Sequence, residues 1–89
     1  MKSYEIKLDR KVEKDLKSVH PQDIKRIKAA IQELSKNPRP NSCKKLKGKQ
    51  QDFYRIRVGN YRIVYTIQDD ILLVLVVRVG HRREIYENF

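Results

Sequence analysis

The sequence predicts a single α+β domain: an N-terminal strand and a two-helix antiparallel hairpin packed on a mostly antiparallel sheet of about four strands, in the order β-α-α-β-β-β. Three observations carry that prediction. Apolar residues recur at helical spacing from Val12 to Leu34, they alternate with polar ones from Phe53 to Ile67, and Gly59-Asn60 separates two matching alternating runs. Two separate cores do not fit into 89 residues, so residues 1–89 are expected to form one domain.

Taken in order, Tyr4, Ile6 and Leu8 alternate with polar residues and read as a short opening strand. The period changes at Asp9, a suitable N-cap for a helix that carries Val12, Leu16 and Val19. His20-Pro21 interrupts it. Pro21 at the first helical position, followed by Gln22 and Asp23, starts a second helix. Ile24, Ile27, Ile31 and Leu34 give that helix an apolar stripe, while Lys25, Arg26, Lys28 and Lys36 fall largely on the rest of its surface. Asn37-Pro38-Arg39-Pro40 stops it. Two such helices joined by a tight turn can cover one face of a sheet.

The segments Phe53 to Val58 and Tyr61 to Ile67 alternate on either side of Gly59-Asn60, a two-residue hairpin signal of type II′. Asp69-Asp70 marks a second turn. Ile71 to Val79 is apolar apart from Arg78, as expected of a central strand buried on both faces.

Hydrophobic residues at 39% and charged residues at 36% suit a folded protein rather than a disordered one. Twenty-one Lys and Arg against eleven Asp and Glu leave a net charge of +10, which calls for an anionic partner without specifying the fold. The longest apolar run, Ile71 to Val77, has seven residues, against the roughly 20 needed to span a membrane. No apolar leader follows the first Met-Lys-Ser-Tyr-Glu, so no secretory signal is expected. One cysteine, Cys43, cannot make an internal disulfide and suits a reducing cytoplasm, where it reads as a small buried filler. Two histidines, no Cys cluster and three scattered glycines offer neither a metal centre nor a phosphate loop, so no cofactor is expected.

The hairpin register singles out the basic residues. With Gly59-Asn60 as the loop, Val58 pairs with Tyr61, Arg57 with Arg62, Ile56 with Ile63, Arg55 with Val64 and Tyr54 with Tyr65. One face then carries Tyr54, Ile56, Val58, Tyr61, Ile63 and Tyr65 for the helices to cover; the other gathers Arg55, Arg57 and Arg62. Like charges directly opposed across strands destabilise a sheet, and an anion seated between them accounts for Arg57 facing Arg62. With Asp69-Asp70 as the second turn, Arg62 would pair with Val77 and Asn60 with Val79, which brings His81-Arg82 out beside the hairpin tip. Lys44, Lys45, Lys47 and Lys49 extend the positive field: Lys44 to Arg62 holds seven basic residues against one acid, Asp52. Arginines contact phosphate oxygens in bidentate fashion, and an exposed tyrosine such as Tyr86 can stack on a base.

Blander assignments apply residue by residue. A lysine run is ordinarily solvated surface, Arg55 reads equally well as an exposed strand residue, and Tyr86 as an aromatic that docks the C-terminus. His81 is an edge residue whose ordinary pKa of about 6.5 would also suit a proton shuttle.

The stretch Tyr54-Arg-Ile-Arg-Val-Gly-Asn-Tyr-Arg-Ile-Val-Tyr65, followed by Arg78-Val-Gly-His-Arg82 and Tyr86, resembles the RelE/ParE toxin superfamily, and Asn37-Pro-Arg-Pro and Lys45-Leu-Lys-Gly48 extend the likeness over nearly the whole chain. The resemblance implies a toxin of a type II toxin–antitoxin pair. The RelE branch consists of endoribonucleases that enter the ribosomal A site and cut mRNA; the ParE branch poisons DNA gyrase. The family's basic positions fall on Arg55, Arg57, Arg62 and Arg82, and its C-terminal tyrosine on Tyr86. Arg82 and Tyr86 together favour the RelE branch. Arginine stands at 55 and 57 where the best-known RelE pattern has lysine, and arginine stays charged where lysine can accept a proton.

The resemblance thus implies a cytoplasmic, ribosome-dependent mRNA interferase working without metal or cofactor. Arg55, Arg57, Arg62, Arg82 and Tyr86 would be its catalytic set, and Lys45, Lys47, Lys49 and His81 would contact substrate. Its partners would be a RelB-like antitoxin, the ribosome and mRNA, with no membrane. A gyrase inhibitor and a non-catalytic nucleic-acid-binding module are the alternatives.

Overall fold

The computed structural model describes residues 3–83, in the order β1 (Glu5–Leu8), α1 (Arg10–Lys17), α2 (Pro21–Lys36), β2 (Lys44–Lys47), β3 (Asp52–Val58), β4 (Tyr61–Gln68) and β5 (Leu73–His81). The α+β class holds, with five strands in the sheet order β1-β5-β4-β3-β2. All neighbours are antiparallel except β1 and β5, which run parallel. The fifth strand is β2, a four-residue edge strand formed by Lys44-Lys-Leu-Lys47, whose lysines read in the sequence as a solvated run. Among the described residues, no helix is long and apolar enough to cross a membrane.

Local chemistry sets the helix starts as expected, whereas α1 ends at Lys17 with Ser18 as its C-cap, so Val19, expected on this helix, is buried just beyond it. The Asp9 side chain accepts from the Lys11 N–H and caps α1; His20 Nδ1 accepts from the Gln22 N–H and caps α2, with Pro21 inside the first turn. Val12 from α1 and Ile27, Ile31 and Leu34 from α2 are buried against Ile56, Ile63, Tyr65, Val74, Val76 and Val79 of the sheet. The helices therefore cover one face of the sheet, as the hairpin register predicts. The N-terminal strand is tied to the end of α2 by a backbone bond from Tyr4 to the Ser35 carbonyl (2.8 Å) and by the Ser35 hydroxyl, which donates to the Tyr4 carbonyl (2.7 Å).

Three elements meet at Asp69, which is the start of the β4–β5 turn. Arg39, from the α2–β2 connection, donates to both Asp69 oxygens at 3.1 and 2.8 Å, and the Tyr4 hydroxyl donates to Oδ1 at 2.6 Å. The Arg39 guanidinium also lies 5.3 Å over the Tyr54 ring. Bonding to Arg39 first, and to Tyr4 second, lowers the Asp69 carboxyl from 3.8 to about 2. A depressed folded-state pKa contributes stability that is present above the unfolded value and lost as pH falls through the folded one. The wild-type melting temperature is therefore expected to fall between pH 4 and pH 2 more steeply than that of Asp69→Asn. Thermal unfolding followed by circular dichroism checks this; parallel curves would remove Asp69 as a source of acid sensitivity.

Candidate nucleic-acid interface

The β3–β4 hairpin has the predicted register at every pair: Tyr54 opposes Tyr65, Arg55 Val64, Ile56 Ile63, Arg57 Arg62 and Val58 Tyr61. Gly59 has φ +59° and Asn60 has negative φ, the positive-then-negative order of a type II′ turn. Alternation then sends Arg55, Arg57 and Arg62 to the face away from α1 and α2. Arg57 is exposed and Arg62 half-buried, whereas Arg55 is buried at 6% exposure, so it is not the exposed strand residue the sequence also allowed. The Nε atoms of Arg55 and Arg62 are both sequestered from solvent.

The register between β4 and β5 differs from expectation. Arg62 pairs with Gly80, not Val77, and Tyr61 pairs with His81. Two features cause the difference. The second turn runs from Asp69 through Leu72, which adopts φ +51°, instead of ending at Asp70; and β5 carries an extra residue, with Tyr65 opposing Val76 and Val64 opposing Arg78. Arg82 nonetheless comes out at the hairpin tip, where its N–H donates to the Asn60 carbonyl at 2.8 Å. Arg57, Arg62, Gly80 and then Arg82 thus follow one another across three strands.

The remaining basic residues separate. Lys44 opposes Arg55 and shares its face. Lys45 and Lys47 oppose Tyr54 and Asp52, and so point to the other side of the sheet; Lys45 ion-pairs with Asp52 at 3.2 Å. Lys49 lies in the β2–β3 connection. The contacts expected of Lys45, Lys47 and Lys49 therefore do not gather around the arginines, whereas Lys44 does. His81 also faces away from them: it packs edge-on to Tyr61 with ring centroids 5.8 Å apart, and its Nδ1 accepts from the Arg83 N–H. With Asp15, Ser18, Val19, Tyr61, Val79 and Gly80 it lines a cleft of about 210 Å³ on the helix side. Tyr86 lies outside the described residues.

One further cation reaches the hairpin tip. A Cβ added to Gly59 would meet Nη1 of Arg26, from α2, at 3.4 Å. Helical periodicity places Arg26 off the apolar stripe but cannot tell which exposed residues of α2 lie over the hairpin.

The fold is thus a small basic α+β domain that brings arginines from β3, from β4 and from just past β5 to one hairpin tip, a concentration of guanidinium donors whose chemistry suits a polyanion. A sequence model described as the ParE toxin of the type II toxin–antitoxin system parDE matches residues 6–86. RelE1 of Methanocaldococcus jannaschii is 31% identical over 88 residues, which span 96% of this chain and 97% of that protein. The toxin RelE3 of the same organism is 42% identical over 80 residues, 85% of this chain and 88% of its own. Among solved structures, the archaeal RelE–RelB complex from Pyrococcus horikoshii OT3 contains a chain that superposes with a TM-score of 0.80 at 25% identity, covering 93% of this chain and 99% of that one. The chain belongs to the RelE/ParE toxin superfamily, and it is a toxin of a toxin–antitoxin system of the RelE type.

Proposed function

We propose that the chain is a ribosome-dependent endoribonuclease that cuts mRNA in the A site and so stops translation. The observation that carries this reading is the convergence of Arg57, Arg62 and Arg82, with Arg57 opposite Arg62 and Arg82 tethered to Asn60. The proposed reaction is in-line attack of a 2′-hydroxyl on the adjacent phosphate. The 2′-oxygen–phosphorus bond forms as the 2′-hydroxyl proton passes to solvent water, and the phosphorus–5′-oxygen bond breaks as the 5′-oxygen takes a proton from water, leaving a 2′,3′-cyclic phosphate and a 5′-hydroxyl. Negative charge builds on the phosphoryl oxygens in the transition state, and fixed guanidinium groups stabilise it more there than in the ground state. Arg57 and Arg62 clamp the phosphate, Arg82 faces the leaving 5′-oxygen, Arg55 supports the clamp from its buried position, and Tyr86 stacks on a base. Arginine does not accept a proton near neutral pH, so the chain supplies charge and the ribosome supplies the orientation of the reacting hydroxyl.

The partners this reading implies are the ribosome with its mRNA and a RelB-like antitoxin, in line with the RelE–RelB complex that the fold resembles. A segment rich in acidic residues would match the +10 charge. The chemistry is tested by incubating the toxin with naked mRNA and with translating ribosomes, then treating the 3′ ends with acid and phosphatase. The expected outcome is cleavage only with ribosomes, with 3′ ends that resist phosphatase until acid opens the cyclic phosphate. Brisk cleavage of naked RNA would contradict it.

The match to a ParE description favours one second reading, a gyrase inhibitor on the same fold. It predicts gyrase-dependent DNA cleavage complexes with translation unaffected.

A further inference from the structure

We propose that Asp15 is a positioning residue, which holds a β-bulge in β5 and thereby sets Arg82 on the arginine face of the sheet. Val74 and Val76 point into the core two residues apart, but the next core residue of β5 is Val79, three further on. The phase of the strand therefore changes between Val76 and Val79. The pairing changes at the same place, where Val77 has no opposite number on β4. Beyond the bulge, Val79 and Ile63 face the helices, and Gly80 and Arg62 face away. Arg82 lies just past the end of β5, but its N–H donates to the Asn60 carbonyl and so carries the pairing one residue further, which puts it on the side of Gly80 and Arg62. Without the extra residue, the Tyr65–Val76 pairing would continue as Arg62 with Val79 and Tyr61 with Gly80, and Gly80 and Arg82 would be directed at α1.

One carboxylate holds this bulge. β1 accompanies β5 only as far as Val76, whose carbonyl accepts from the Asp9 N–H. α1 takes over the strand's edge there. Asp15 Oδ2 accepts from the Val79 N–H and from Arg78 Nε, both at 3.0 Å, and Oδ1 lies 3.4 Å from an Arg78 Nη. Asp15 thus satisfies an edge N–H that no strand reaches and fixes the residue next to the extra one. Its side chain is only 15% exposed, which makes a chance surface ion pair a poor account of it.

This inference rests on the reading of Arg82 as part of the cleavage site, so its test has one readout that involves cleavage and one that does not. On translating ribosomes, Asp15→Ala should lower the maximal cleavage rate by about ten- to a hundredfold per folded molecule, because misplacement by an ångström costs about that much, while half-saturation moves less than about twofold. Asp15→Asn, which keeps an acceptor for the Val79 N–H, should recover most of the rate. Arg78→Ala, which keeps Asp15 on Val79, should stay within about threefold of wild type. In NMR spectra, Asp15→Ala should lose the Tyr61–His81 ring contact and the exchange protection of the Arg82 amide, while core amides such as Tyr65 stay protected. Should Asp15→Ala fail to fold, Asp15→Leu preserves side-chain bulk without an acceptor and is read the same way. A folded variant with wild-type rate, or one that keeps the Tyr61–His81 contact, would overturn the proposal. A wild-type protein that cleaves nothing overturns the functional reading instead, and the NMR comparison then decides on Asp15 alone.

Discussion

Arg82→Ala is expected to cut mRNA on translating ribosomes about a hundred- to a thousandfold more slowly than wild type, the usual loss when one preorganised donor to a transition-state oxyanion is removed. Binding should change far less. Arg82 is one of 21 basic residues, and deleting one phosphate contact lowers the salt slope of binding by only about one unit. Arg62→Ala should behave similarly, because Arg62 is half-buried in the middle of the row, between Arg57 on β3 and Gly80 on β5. Arg62→Lys should recover only part of the rate, since an ammonium offers a point charge in place of a planar fork. Single-turnover cleavage measured beside ribosome co-sedimentation checks the split. Equal losses of binding and cleavage in Arg82→Ala would instead describe a basic binding module without catalysis.

Tyr65→Ala is expected to destabilise the fold by about 3–5 kcal/mol, the usual range for deleting a buried aromatic ring. That is a large part of the roughly 5–15 kcal/mol a small domain has in total. Tyr65 is fully buried, its ring stacks on Tyr54 with centroids 5.8 Å apart and planes 25° apart, and its hydroxyl donates to the Pro38 carbonyl at 2.7 Å. It therefore joins the sheet to the segment that ends α2. Burial raises the phenol's pKa well above 10.0, so the hydroxyl remains a donor throughout the working pH range. Tyr65→Phe keeps the ring and loses that bond, and should cost about 1 kcal/mol. Urea unfolding followed by circular dichroism checks both; a Tyr65→Ala midpoint equal to wild type would contradict the core described here.

How much of this is legible in the sequence follows from where side-chain alternation is clear. The β3–β4 hairpin can be read pair by pair, because Gly59-Asn60 fixes the loop and each flanking strand alternates. Residues 71–79 are apolar at all but one position, so they carry no phase, and neither the end of the second turn nor the bulge beside Val77 can be placed from them. The predicted pairing of Arg62 with Val77 fails for that reason, although Arg82 still arrives at the hairpin tip. The short edge strand β2 is hidden because three of its four residues are lysines, which suit an exposed edge and equally a solvated loop. Taking that run as loop also conceals which lysines share the arginine face; pairing shows it to be Lys44 and not Lys45 or Lys47. Asp15 and Arg26 escape notice because their roles depend on how the helices lie over the sheet, which periodicity does not specify.

Primer extension on an mRNA being translated by intact ribosomes, with wild-type toxin and Arg82→Ala side by side, decides whether the chain cuts in the A site. The expected result is 5′ ends within the A-site codon that require ribosomes and disappear in the variant. Intact mRNA with normal translation in the presence of folded wild-type protein would contradict it and turn attention to gyrase.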